Sequence, residues 1–195
     1  MIKDKILRVF IGYDPNEPVA YHVLAHSILR QSSVPVSITP LVLSQLEMTR
    51  PRDLKQSTEF SFSRFLVPYL CEYKGQAIFM DCDMLVRMDI ANLWKQTSDW
   101  RASVSVVKHS YIPKSDTKFL GNKQTTYQRK NWSSLMLFNN EKCKQLTKES
   151  VNSESGLHLH QFEWAEDIGE LPVSYNHLVG EYALNPAAKI VHFTL

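Results

Sequence analysis

The chain carries Asp81-Cys82-Asp83 directly after the apolar run Ala77-Ile78-Phe79-Met80. Two carboxylates with one residue between them repel each other when both are ionised. A divalent cation held by both, directly or through water, removes that penalty, and a hard cation in turn attracts phosphate. The apolar run, bounded by Gly75 before and acid after, reads as a buried strand. The carboxyl end of such a strand is where an open α/β sheet places its ligands. Asp-x-Asp is short and is equally readable as a solvated acidic loop; its place after a buried strand favours the metal. Far downstream, His192 lies in the apolar stretch Val191-His192-Phe193-Thr194. On the residues alone it reads as an edge or core histidine.

The remaining composition narrows the class. The 195 residues suffice for one domain with a substantial core. Apolar residues make up 44% and charged residues 22%, which is ordinary globular composition. Lys plus Arg is 22 against 20 Asp plus Glu, so no global field argues for nucleic acid. Cys71, Cys82 and Cys143 are odd in number and lack metal-site spacing, as expected of reduced thiols. No signal-peptide core and no stretch of about 18 apolar residues is found. The expected location is cytoplasmic, with a peripheral position at a membrane compatible with it.

Several elements must position the carboxylates. Ile6 to Gly12 reads as a first buried strand, and Tyr13 to Pro18 as a turn. Val19 to Gln31 has helical spacing, with Val19, Val23 and Ile28-Leu29 on its buried side. Ser37 to Leu43 is a second strand, so the chain opens as the strand–helix–strand unit of a parallel sheet. Leu46 to Glu59 reads as a loop. Ser61 to Cys71 is expected as one helix burying Phe62, Phe65, Leu66 and Tyr69, with Pro68 irregular within it. Asp89 to Trp94 starts a short helix, and Ala102 to Lys108 alternates like a half-buried strand. Residues 108–130 hold Lys108, Lys114, Lys118, Lys123, Arg129 and Lys130 against Asp116; they read as a solvated loop or as a basic flap over an anion. Glu141 to Ser150 reads as a charged helix, Leu171 to Asn176 as a strand-like edge, and Lys189 to Thr194 as the last strand.

Five segments then fall into a familiar order: Ile11-Gly12-Tyr13-Asp14, Ser63-Arg64-Phe65, Asp81-Cys82-Asp83, the stretch from Trp132 to Asn139, and Leu171-Pro172-Val173-Ser174-Tyr175-Asn176, with His192 after them. In this order they resemble the GT-A glycosyltransferases, in particular glycosyltransferase family 8 and its bacterial relatives. The resemblance implies an α/β GT-A (nucleotide-diphospho-sugar transferase) fold, a single domain over residues 1–195 with a central mixed, mostly parallel sheet. It implies a metal-dependent, retaining, hexosyltransferase-like enzyme that moves a sugar from a UDP-sugar to a glycan, lipid or protein acceptor. By the same resemblance Asp81, Asp83 and His192 hold Mn²⁺ or Mg²⁺ and are the catalytic set, an imidazole ligand favouring Mn²⁺ slightly. The ion bridges the diphosphate and acts as a Lewis acid. Tyr13, Asp14, Arg64, Cys82, Ser133 and Gln161 then line the donor: Tyr13 stacks on uracil, Asp14 accepts from its N–H or from the ribose, and Arg64 adds a fixed positive charge. In retaining members the departing diphosphate takes the acceptor proton, so no dedicated base is required.

This chain departs from the family pattern in three places. Trp132-Ser133-Ser134 replaces an Asn-Ser-Gly element, and His160-Gln161 stands near where an Asp-Gln pair is usual. The chain stops at Leu195, without the Gly-rich turn and Pro-Trp pair that follow the late His, so a missing C-terminal segment and weak turnover are expected. Two rivals remain. One is a haloacid-dehalogenase-type phosphatase, disfavoured because a whole strand–helix–strand precedes Asp81. The other is a non-catalytic sugar-nucleotide-binding domain. Tyr13 also reads as a strand cap and Arg64 as a surface ion-pair partner. His22, His26, His109, His158, His160 and His177 read as structural or solvated. Trp164 and Glu166-Asp167 read either as acceptor-site lining or as packing and capping.

Overall fold

The computed structural model describes residues 6–52, 56, 58–96, 101–110 and 128–194. Its core is a six-stranded sheet in the order β2-β1-β3-β6-β5-β7. These strands are β1 (Leu7–Gly12), β2 (Val36–Leu41), β3 (Gln76–Met80), β5 (Val104–Val106), β6 (Leu135–Asn139) and β7 (Ile168–Glu170). Only β6 runs against the rest: β1 pairs in parallel with β2 and β3, β5 with β7, while β6 is antiparallel to β3 and β5. The expected mixed, mostly parallel sheet is present.

Burial explains the order. Ala77, Ile78, Phe79 and Met80 of β3 are all inaccessible, as are Val9 and Ile11 of β1; continuous apolar runs suit strands covered on both faces. The edge strand β2 alternates instead and tolerates Pro40 opposite Ile11. Helix α1 (Pro18–Gln31) begins with proline in its first turn, where a missing N–H costs nothing. A second, three-stranded sheet has the order β4-β9-β8, with β4 (Met84–Val86), β8 (His177–Leu178) and β9 (Ile190–His192). In it Met84 stands opposite His192.

The remaining helices are short. They are α2 (Val67–Leu70), α3 (Ile90–Lys95), α4 (Lys148–Ser153) and α5 (Gly156–His160). Side chains cap three of them: Asp89 accepts from Ala91 N, Thr147 from Ser150 N and Ser155 from His158 N. Among the described residues no helix is long and apolar enough to cross a membrane.

Several expectations are corrected. Helix α1 buries Leu24, Ser27 and Ile28, whereas Val19, Val23 and Leu29 are exposed. The buried face is set partly by a polar residue, since Ser27 Oγ donates to the Leu24 carbonyl and accepts from Val86 N of β4. Residues 61–71 are not one helix: a 3₁₀ segment over Ser63–Leu66 leads into α2. Pro68 falls in the first turn of α2, which accounts for it, and Tyr69 is exposed. β5 is buried throughout rather than alternating. In place of a helix over 141–150 there is a 3₁₀ turn at Asn140–Lys142, and α4 starts only after its Thr147 cap. Pro172 opens a 3₁₀ turn at Val173–Tyr175 where a strand edge was expected. Lys114, Lys118, Lys123 and Asp116 lie outside the described residues. Of the rest of that basic stretch, Lys130 is buried rather than solvated.

Candidate metal and nucleotide site

Strands β1 and β3 are parallel neighbours with Ile11 opposite Met80. Residues that follow each strand therefore emerge at the same sheet edge. Tyr13, Asp14 and Glu17 come off β1, and Asp81 to Asp83 come off β3. β9 returns to that edge: Phe193 N donates to the Asp83 carbonyl at 2.9 Å, which brings His192 beside Asp83.

Asp81, Asp83 and His192 each present one ligand atom, all within 4.8 Å of one another. His192 Nε2 lies 3.2 Å from Asp83 Oδ1 and is buried, while Asp83 is partly open to solvent. Burial alone pulls the imidazole down. The Asp83 carboxylate, by charge and by hydrogen bond, and then the Asp81 charge more than reverse this, so His192 titrates above its ordinary value. Two carboxylate oxygens and an imidazole nitrogen form a donor set that suits Mn²⁺ or Mg²⁺.

The Asp81 carboxylate is held from behind. Arg64 Nη1 stands 2.9 Å from Asp81 Oδ1 and donates to the Ser133 carbonyl at 3.0 Å. Its guanidinium also faces the Phe60 and Phe79 rings. Arg64 is buried, so it is not a surface ion-pair partner. Asp81 N donates to the Ser134 carbonyl at 2.9 Å. Ser133 Oγ meets His160 Nδ1 at 2.9 Å, and the His160 ring packs on Phe62 and Phe65.

The other expected residues are placed as follows. Tyr13 is half-buried and meets Tyr21 edge to face. Asp14 Oδ1 accepts from Asn16 N and Nδ2, and Oδ2 accepts from Glu59 N, so this carboxylate ties its turn to the loop before Phe60. Gly12 is required there because a Cβ would overlap the Phe60 ring. Cys82 packs its thiol into the core, and burial, followed by the charges of Asp83, Asp81, Glu17 and Asp14, raises its pKa. In the His160-Gln161 pair, His160 reaches Ser133 through its ring, while Gln161 offers its carbonyl to Arg129. Trp164 is core, edge-on to Phe65 and tilted against Phe138 and Phe162. Glu166 and Asp167 instead border a groove of about 470 Å³ with Lys108, Arg129 and Trp132.

Three residues were not singled out from sequence. The Glu17 carboxyl is pushed up to about 7, first by burial and then by the charges of Asp83, Asp14 and Asp81. Its signal was available: it follows the first strand by a few residues and so shares the carboxylates' edge. Asn176 accepts at Oδ1 from His192 Nδ1 at 3.0 Å. Ser134 accepts from Asn176 Nδ2 at 2.8 Å. Neither pairing carries a local sequence signal.

No family model matches the chain. Protein CDI of Arabidopsis thaliana is 45% identical over 203 residues, covering 97% of this chain and 78% of the relative. Among solved structures, the bifunctional glycosyltransferase WbbM superposes with a TM-score of 0.64 at 14% identity, over 99% of this chain. The chain spans only 46% of WbbM's length. Mouse xyloside xylosyltransferase 1 superposes with a TM-score of 0.60 at 11% identity, over 96% of this chain and 97% of that one. The fold is therefore the GT-A fold, as the order of the sequence motifs led one to expect.

Proposed function

We propose that this chain, which belongs to the family of Arabidopsis thaliana Protein CDI, is a metal-dependent glycosyltransferase that uses a UDP-sugar. The observation that carries the reading is the convergence of Asp81, Asp83 and His192 at the sheet edge of a GT-A fold. These residues would hold Mn²⁺ or Mg²⁺, which when bound neutralises charge on the donor diphosphate. Arg64 fixes the Asp81 carboxylate and adds a buried positive charge behind it. Tyr13 offers its ring to the base from the end of β1, and Asp14 holds that turn in place. We also assign Ser133 and Gln161 to the donor; Ser133 Oγ meets His160 Nδ1, and Gln161 follows His160 in the chain.

In transfer, an acceptor hydroxyl oxygen bonds to the anomeric carbon as the bond from that carbon to the diphosphate oxygen breaks. The electron pair leaves with UDP, which also takes the acceptor proton. We assign retention of configuration, supported by the family order of the motifs; the anomeric form of the product reads it directly. The three buried free cysteines support a reducing, cytoplasmic setting. The acceptor is a hydroxyl-bearing glycan, lipid or protein.

The test is a thermal-shift titration with UDP, with and without Mn²⁺, followed by an assay of UDP release from UDP-sugars. A UDP-induced shift that requires Mn²⁺, together with UDP release, is expected. A shift without release over a panel of donors would make the chain a sugar-nucleotide-binding domain. No metal-dependent shift would end the reading.

A further inference from the structure

We infer that Ser134 and Asn176 are positioning residues that decide which nitrogen of His192 is presented to the cation. The inference rests on the metal site proposed above. It starts from a group with no choice of role. The Asn131 carbonyl can only accept, and Ser134 Oγ lies 2.7 Å from it, so the hydroxyl proton points there. Ser134 Oγ must then accept from its other neighbour, the Asn176 side chain at 2.8 Å, which makes that atom the amide nitrogen Nδ2. The Asn176 amide is thereby oriented, with Oδ1 toward His192 Nδ1 at 3.0 Å. An amide oxygen only accepts, so Nδ1 carries a proton. The lone pair available to an ion is on Nε2, the atom that faces Asp83 Oδ1.

Burial gives this chain of bonds its force. Ser134 is 1% exposed, Asn176 inaccessible and His192 3% exposed, so no water replaces a lost partner. Directionality passes from Asn131 to His192 without a branch. The same segment serves the opposite ligand, because the Ser134 carbonyl receives Asp81 N and the Ser133 carbonyl receives Arg64. Two adjacent serines thus brace both ends of the ligand set, within the Trp132-Ser133-Ser134 segment. Outer partners of this kind orient metal-bound imidazoles and raise their basicity.

The experiment combines Mn²⁺ calorimetry on the UDP-free protein with ¹⁵N-histidine NMR of the Zn²⁺-loaded wild type, Zn²⁺ serving as a diamagnetic probe. In the wild type, His192 should keep its proton on Nδ1 and bind through Nε2. Asn176→Leu should weaken Mn²⁺ about tenfold or more. Ser134→Ala, which leaves every atom of Asn176 and His192 in place, should also weaken it, by less. Asn176→Asp should hold affinity within a few-fold, because a carboxylate still accepts from Nδ1–H and Ser134 can turn to donate to it. Circular dichroism confirms that each variant is folded, and the wild-type spectrum needs no variant at all. Binding through Nδ1, or Mn²⁺ affinity unchanged in folded Ser134→Ala and Asn176→Leu, overturns the inference while leaving the metal site standing. Failure of the wild type to bind Mn²⁺ removes both.

Discussion

Arg64 and Asp81 form a buried ion pair, Nη1 to Oδ1 at 2.9 Å, with side chains 7% and 15% exposed. One of the two carboxylates of the Asp-x-Asp pair is therefore already bonded to a protein cation. The other, Asp83, meets His192 Nε2 at 3.2 Å.

Arg64→Ala leaves Asp81 without its partner in a mostly buried place. Removing one member of such a pair costs about 3–5 kcal/mol, and the partial exposure of Asp81 puts the expected loss near the lower end. At about 2–4 °C per kcal/mol for a chain of this size, the melting temperature should fall by several degrees. Mn²⁺ should stabilise this variant more than the wild type, because the ion takes over the missing charge. UDP affinity in the presence of Mn²⁺ should fall by about 1.5–3 kcal/mol, the scale of a charge-assisted hydrogen bond. Equal Mn²⁺ stabilisation of both proteins would show that Asp81 does not face the ion.

Asp83→Ala should abolish Mn²⁺-dependent UDP binding without unfolding the protein. The register of β9 is held by its backbone pairing with β4 and by Phe193 N on the Asp83 carbonyl, both of which the substitution leaves in place. Calorimetry of UDP with and without Mn²⁺ decides this; the same Mn²⁺ enhancement in variant and wild type would remove Asp83 from the ligand set.

Glu17 gives the metal-free protein a pH dependence. Its carboxyl is pushed up from 4.5 to about 7 on folding, so the folded state holds this proton more tightly than the unfolded chain. The stability it contributes is complete below about 4.5 and is lost as pH rises through about 7. His109, pushed down to about 3 by burial and then by the His192 charge, acts in the opposite sense, costing stability as pH falls below 6.5. The difference between wild type and Glu17→Gln isolates Glu17. Urea unfolding in EDTA should show the variant gaining on the wild type as pH rises between these values, and Mn²⁺ should shrink the gap by favouring the ionised carboxylate. Parallel pH profiles would place Glu17 away from the acidic edge.

Gly12→Ala tests the link between the first strand and Arg64. The added Cβ would overlap the Phe60 ring, and the Phe60 carbonyl receives Arg64 Nε. Overpacking of this kind costs about 1–3 kcal/mol. Chemical denaturation should show that loss, and Gly12→Ala with Phe60→Leu should recover part of it. A double variant less stable than the single one would mean that the ring does not set the requirement for glycine.

The strands were legible where burial is complete. β1, β3 and β6 are short apolar runs with clear ends, and nothing in their surroundings competes with that signal. The placement of Asp81 and Asp83 at a strand end was legible for the same reason. That His192 joins them was not written in spacing; it came from the order of motifs, because pairing of β4 with β9 is a tertiary fact. Periodicity misjudged α1 because its inward face includes Ser27, whose hydroxyl serves two backbone groups. It misjudged residues 141–150 because Cys143 and Leu146 are drawn into the core as turns before Thr147 caps α4. The relay through Ser134 and Asn176 joins distant segments by side chains, so no window along the chain contains it.

The division of the strands between two sheets has a consequence for synthesis. Every strand of the six-stranded sheet lies between Leu7 and Glu170, whereas the ligand set closes only when β9 pairs with β4. A chain emerging from the ribosome can thus assemble its main sheet while Asp81 and Asp83 still lack their imidazole. The cluster of Asp81, Asp83 and His192 is completed only by the docking of three residues, Ile190 to His192. A nascent or interrupted chain would carry the main sheet without the complete cluster.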